Sequence, residues 1–94
     1  MIIIAHHHIT DADAFWSAAR EVTSSLPSHL KLHSVLPSAD FKLGTCVWEA
    51  ARVEDVQDFL DQNVGHASRN VCYEVNENAA MGLPQSVKEE ALTD

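Results

Sequence analysis

Apolar and polar positions repeat with two different periods along the chain, and the switches between them mark out six elements. Ile2 to Ile9 is rich in β-branched side chains and predicts a strand. Thr10-Asp11 follows as a helix start, with Asp11 the better N-cap because its carboxylate accepts from the free N–H groups of a first turn. Phe15, Ala18, Ala19 and Val22 then recur at helical spacing, and Ser24-Ser25 with Pro27 after them end that helix. Leu30 to Leu36 alternates again and stops at Pro37. After the turn-prone Ser38-Ala39-Asp40, Leu43 to Ala50 forms the second arm of a hairpin. Val53, Val56, Phe59, Leu60 and Val64 mark a second amphipathic helix, with Gly65 as its stop. Val71, Tyr73 and Val75 alternate as a last strand.

The order βαββαβ predicts an α+β domain of ferredoxin-like type. Two right-handed crossovers with short connections give an antiparallel sheet in order 4-1-3-2 with both helices on one face. Helix burial explains only that face. The other meets water or another subunit, and its apolar members argue for a homodimer. Residues 1–78 hold the domain. The tail, residues 79–94, contains Gly82, Pro84 and Glu89-Glu90, and either covers an edge or stays loose.

The two-residue period assigns faces. Ile9 precedes α-helical residues and turns into the core, so Ile3, Ala5 and His7 take the helix side while His6 and His8 take the open face. In the hairpin, Leu30, Leu32, Trp48 and Ala50 go inward, leaving Lys31, His33, Val35, Thr45, Val47 and Glu49 open. In the last strand the apolar Val71, Tyr73 and Val75 go inward, which turns Asn70, Cys72 and Glu74 outward. Antiparallel neighbours then bring His6 and His8 near Asn70 and Cys72, with His66 on the same rim. Cys46 and Cys72 fall on opposite faces, with the first strand between theirs, and predict no disulfide.

Composition narrows the partners. Ninety-four residues allow one core and no second domain, and 46% hydrophobic with 21% charged residues is a globular profile. Six Lys and Arg against fourteen Asp and Glu give a net charge of -8, which disfavours nucleic acid and anionic lipid as partners. The apolar opening Met1 to Ala5 is too short for a signal-peptide core, no later run would span a bilayer, and the two cysteines form no C-x-x-C motif. These features predict a cytoplasmic protein with reduced thiols.

The element order, the segment Ile9-Thr10-Asp11-Ala12-Asp13-Ala14-Phe15-Trp16 opening the first helix, and Val47-Trp48-Glu49-Ala50 before the second together resemble the dimeric α/β-barrel superfamily. The likeness implies two sheets paired into a barrel with a cavity between them. Its members include cofactor-free monooxygenases, haem-handling proteins, small isomerases and nickel binders, so it implies an architecture and leaves the chemistry open.

Imidazole and thiolate are ordinary ligands of nickel, zinc and copper, and H-x-H on a strand sends two imidazoles to one side. His6 and His8, with Cys72, His66 or His33 as further ligands, therefore make a candidate transition-metal site. His33, Arg69 and Asn70 are candidates for holding a small ligand, Arg69 and Asn70 anchoring a carboxylate at the rim. The blander readings are a polar histidine stretch in a wet dimer cavity, a solvated strand start, and packing roles for Trp16 and Trp48. An enzyme of monooxygenase or isomerase type would use a cavity histidine as base, with Lys31 or Glu49 stabilising charge. A structural or regulatory dimer is the third class. No P-loop, Rossmann, nucleophile-elbow or H-E-x-x-H pattern names a substrate.

Overall fold

The computed structural model describes residues 1–84. Six elements follow one another: β1 (Ile2–Ile9), α1 (Ala12–Thr23), β2 (Lys31–Pro37), β3 (Leu43–Glu49), α2 (Val53–Val64) and β4 (Ser68–Glu74). The four strands pair antiparallel in the order β2-β3-β1-β4, which is the expected 4-1-3-2 arrangement, and the fold is ferredoxin-like. Part of the expected tail, residues 85–94, lies outside the described residues. Among the latter, no helix is long and apolar enough to cross a membrane.

Local chemistry explains the helix limits. The Asp11 carboxylate accepts from the Ala14 N–H at 3.1 Å, so it caps α1 as its position predicted. Gly65 ends α2 in right-handed conformation (φ -63°), with no left-handed turn. Its requirement for glycine is steric instead, because a Cβ there would overlap the carbonyl oxygen of Asp61.

The core lies between the sheet and the helices. Ile3, Ala5, His7, Cys46 and Trp48 supply the sheet side, and Val56, Leu60 and Val64 of α2 close over it. Of α1, Phe15 is the buried side chain, whereas α2 buries three. The first helix is therefore seated less deeply than the second.

Two strand phases differ from expectation. In β2 the register shifts between Leu32 and Ser34, leaving His33 as the extra residue of a bulge. The bulge carries Val35 to a position opposite Cys46, on the helix side, where it had been expected on the open face. In β4 the whole phase is reversed: Ser68, Asn70 and Cys72 face the helices, while Val71 and Tyr73 stand exposed on the open face. Alternation of apolar residues fixes a strand's two faces but not which is covered, and a one-residue slip exchanges them. Here α2 meets β4 through polar side chains: the Gln57 amide donates to the Asn70 carbonyl at 2.8 Å and accepts from the Cys72 N–H at 3.0 Å.

Candidate functional site

The open face can be followed in rows across the sheet. One row runs Ser34, Val47, Ile4, Tyr73; the next runs Leu36, Thr45, His6, Val71; a third runs Leu43, His8, Arg69. The His6 and His8 rings meet edge to face with centroids 5.0 Å apart, and His6 Nδ1 lies 3.3 Å from the Thr45 hydroxyl. Arg69 stands directly opposite His8 across the β1–β4 pair. At the other end, His33 Nε2 meets Glu49 Oε1 at 2.9 Å, on the face that alternation from Leu32 assigns to it.

Of the expected site residues, the fold thus gathers His6, His8 and Arg69, and it holds His33 on the same face two strands from β1. It does not bring Cys72, Asn70 or His66 to them. Cys72 and Asn70 face the helix layer because the β4 phase is reversed. His66 lines a groove between the two helices with Glu21, Ser25 and Asn63, so it belongs to the helix layer and not to the open rim. Among the described residues no group of three or more His, Cys, Asp or Glu side chains is placed to hold a metal ion.

The same reversal revises the cysteines. Ala5 pairs with Cys46 on one side and Cys72 on the other, so both thiols lie on the helix face. Two strand spacings still separate them, roughly 10 Å, beyond disulfide reach, and both are free. Burial pushes the Cys46 thiol up to about 12 and the Cys72 thiol up to about 11. Thiolate is the reactive form, so the native protein is expected to resist alkylation by iodoacetamide at about pH 8, both cysteines reacting once urea unfolds it. Labelling of either native thiol as fast as in the unfolded chain would contradict this burial.

A second constellation lies on the helix side. His7 is 1% exposed, and its Nδ1 is 2.7 Å from Asn70 Oδ1. The Asn70 amide nitrogen donates to Asp61 Oδ1 at 3.1 Å, which fixes Oδ1 as the end turned to His7. Ser68 Oγ is 2.7 Å from the same Oδ1 and 3.0 Å from the Val64 carbonyl, its one hydrogen shared between two acceptors. An amide oxygen carries no hydrogen, so His7 must donate from Nδ1, and in the neutral ring Nε2 is left as a bare acceptor. Burial pushes the His7 pKa below the ordinary imidazole value, against the Asn70 hydrogen bond, and neighbouring His6 adds to the lowering. The ring is neutral at neutral pH. Among the described residues nothing bonds Nε2, nor the buried indole nitrogens of Trp16 and Trp48.

His7, Trp16 and Trp48 line one apolar cavity of about 30 Å³ together with Phe15, Cys46 and Leu60. The sequence places His7 on the core side but does not reveal this site. The signal was there: a histidine at a core position of a strand must find a buried partner, and Asn70, opposite His7 across the β1–β4 pair, is that partner.

No family model, no curated protein and no solved structure matches this chain.

Proposed function

We propose that the protein is a homodimer joined through its open sheet faces, in the manner of a dimeric α/β barrel, and that it holds a small anionic molecule at the seam with His6, His8 and Arg69. The supporting observation is the make-up of that face. Against a net charge of -8, Glu49 is the one acid among its strand positions, and it is bonded to His33. Lys31, Arg69, His6 and His8 share the face with the exposed Leu36, Leu43, Val71 and Tyr73. Two acidic chains meet there with least repulsion, and an exposed apolar surface rimmed by polar groups suits an interface. A carboxylate or other small oxyanion accepts from an Arg guanidinium and imidazole N–H groups together.

The second reading is a transition metal held by His6 and His8, completed by the same residues of the partner. The 5.0 Å separation of the two rings favours it. The guanidinium of Arg69 opposite His8 opposes it, because a divalent cation placed beside a fixed positive charge loses affinity. An enzyme working in the dimer cavity would use the same histidines as bases.

Light scattering of the wild type is expected to give twice the chain mass, and Val71→Asp, which sets a carboxylate beside His6, is expected to give a folded monomer. Calorimetry with succinate as probe is expected to report binding that Arg69→Gln weakens about tenfold or more. Calorimetry with Ni²⁺ or Zn²⁺ tests the second reading in the same way. Metal binding lost in His6→Ala/His8→Ala, with no response to succinate, would replace the anion by the metal, and a monomeric wild type would remove the barrel.

A further inference from the structure

Among the described residues the sheet has two outer edges, β2 and β4, and a free edge is a template for a further strand. On β2 the template is spoiled by its own sequence. The Ser38 N–H donates to the Leu43 carbonyl at 2.8 Å, so by alternation Val35 and Pro37 are the residues whose main chain turns away from β3. Pro37 has no N–H to offer, and the bulge at His33 breaks the repeat further back.

β4 has neither defence. It runs from Ser68 to Glu74 with continuous register and no proline. The Val75 N–H donates to the Ile2 carbonyl at 2.9 Å, so Arg69, Val71 and Tyr73 bond β1, while Asn70, Cys72 and Glu74 turn their N–H and C=O groups outward. Val71 and Tyr73 stand exposed between them and are residues that favour strands. A regular, exposed edge of this composition invites pairing with another chain.

Gln57 of α2 occupies that edge. Its carboxamide donates to the Asn70 carbonyl at 2.8 Å and accepts from the Cys72 N–H at 3.0 Å. One residue of a parallel neighbouring strand would make the same two bonds around Val71. The orientation of the amide is fixed by its surroundings. Nε2 also meets both Asp61 carboxylate oxygens, at 3.2 and 3.1 Å, so a flip would set Oε1 against a carbonyl and a carboxylate, and the NH₂ group against the Cys72 N–H. Asp61 in turn accepts from the Asn70 side chain at 3.1 Å, which braces the same stretch of edge.

We propose that Gln57 is an autoinhibitory contact that closes the β4 edge against a second copy of the chain. The strand it keeps out is β4 of that copy. An antiparallel pair centred on Cys72 would set Asn70 against Glu74 across the two-fold axis and engage the outward groups of all three residues, with no like charges opposed. Two of those groups, the Asn70 carbonyl and the Cys72 N–H, are the ones Gln57 holds. The β4 edge and the open face are different surfaces, so this inference does not rest on the open-face dimer.

Hydrogen exchange of the wild type is expected to find the Cys72 amide at least about tenfold slower than that of Glu74, although both point away from β1. Gln57→Leu, a change of similar size, is expected to remove that difference. Light scattering at millimolar concentration is expected to give Gln57→Leu at least double the mass of the wild type, whichever mass the wild type has. Adding Glu74→Pro deletes an outward donor without taking a bond from β1, and is expected to restore the wild-type mass. Unfolded material would not respond to that second change, which separates edge pairing from simple instability, and the exchange comparison in the wild type needs no variant to fold. A Cys72 amide that exchanges as fast as that of Glu74 in the wild type, wild-type mass in Gln57→Leu, or larger species that persist in the double variant would each overturn the proposal.

Discussion

Asn70→Leu is expected to lower the folding free energy by about 3 kcal/mol in urea unfolding, an unusually large effect for a polar residue near a strand start. Leucine matches asparagine in size, so no cavity explains the loss. Three bonds vanish together: the acceptor for His7 Nδ1–H, the 2.7 Å contact with Ser68 Oγ, and the amide donor to Asp61. Their fates differ. Ser68 keeps the Val64 carbonyl at 3.0 Å, and Asp61 keeps the Gln57 amide. His7 alone is stranded, with both ring nitrogens buried and unpaired, and it accounts for most of the expected loss. Arg69→Leu, one residue away on the open face, is the control and should change stability by no more than about 0.5 kcal/mol, since it removes no buried bond. Similar losses in the two variants would mean that β4 does not have the phase described.

The fold was legible because periodicity carries most of the information about element type. The limits of β1, the cap at Asp11 and the strand order all followed from local chemistry and from the shortness of the connections. The site was less legible for one reason that recurs. Val71 and Tyr73 are apolar and Asn70 and Cys72 less so, and the obvious assignment buries the former pair. In the structure the polar pair is covered, because Gln57 and Asp61 of α2 supply it with hydrogen bonds across the helix–sheet seam. That pairing is thirteen and nine residues distant in sequence and leaves no periodic trace. The open face, correspondingly, keeps apolar residues that a solvated surface would not need. The bulge at His33 is another non-local event: it reverses Val35 by inserting one residue, and no turn residue announces it. His6 and His8 escaped these errors because β1 is central and pairs along its length on both sides.

A pH dependence of stability follows from the same buried imidazole. In the unfolded chain a histidine takes up its proton near pH 6.5; in the folded protein the His7 pKa lies lower, chiefly through burial, with His6 adding and the Asn70 bond opposing. Above the unfolded value both states are neutral and His7 contributes no slope. Between the unfolded and folded values the unfolded chain holds one proton more, so stability falls as pH falls, by at most about 1.4 kcal/mol per pH unit for a single group. Below the folded value both states are charged and the slope closes. Other groups titrate over the same range, so the wild type alone does not isolate His7. His7→Phe provides the comparison: it keeps an aromatic ring beside Phe15, whose centroid lies 5.0 Å from that of His7, and removes the titration. The difference in unfolding free energy, wild type minus variant, is expected to be flat from about pH 8 to about pH 7 and to move against the wild type as pH drops toward about 5. If the two curves instead run parallel through this interval, His7 takes up its proton as readily folded as unfolded.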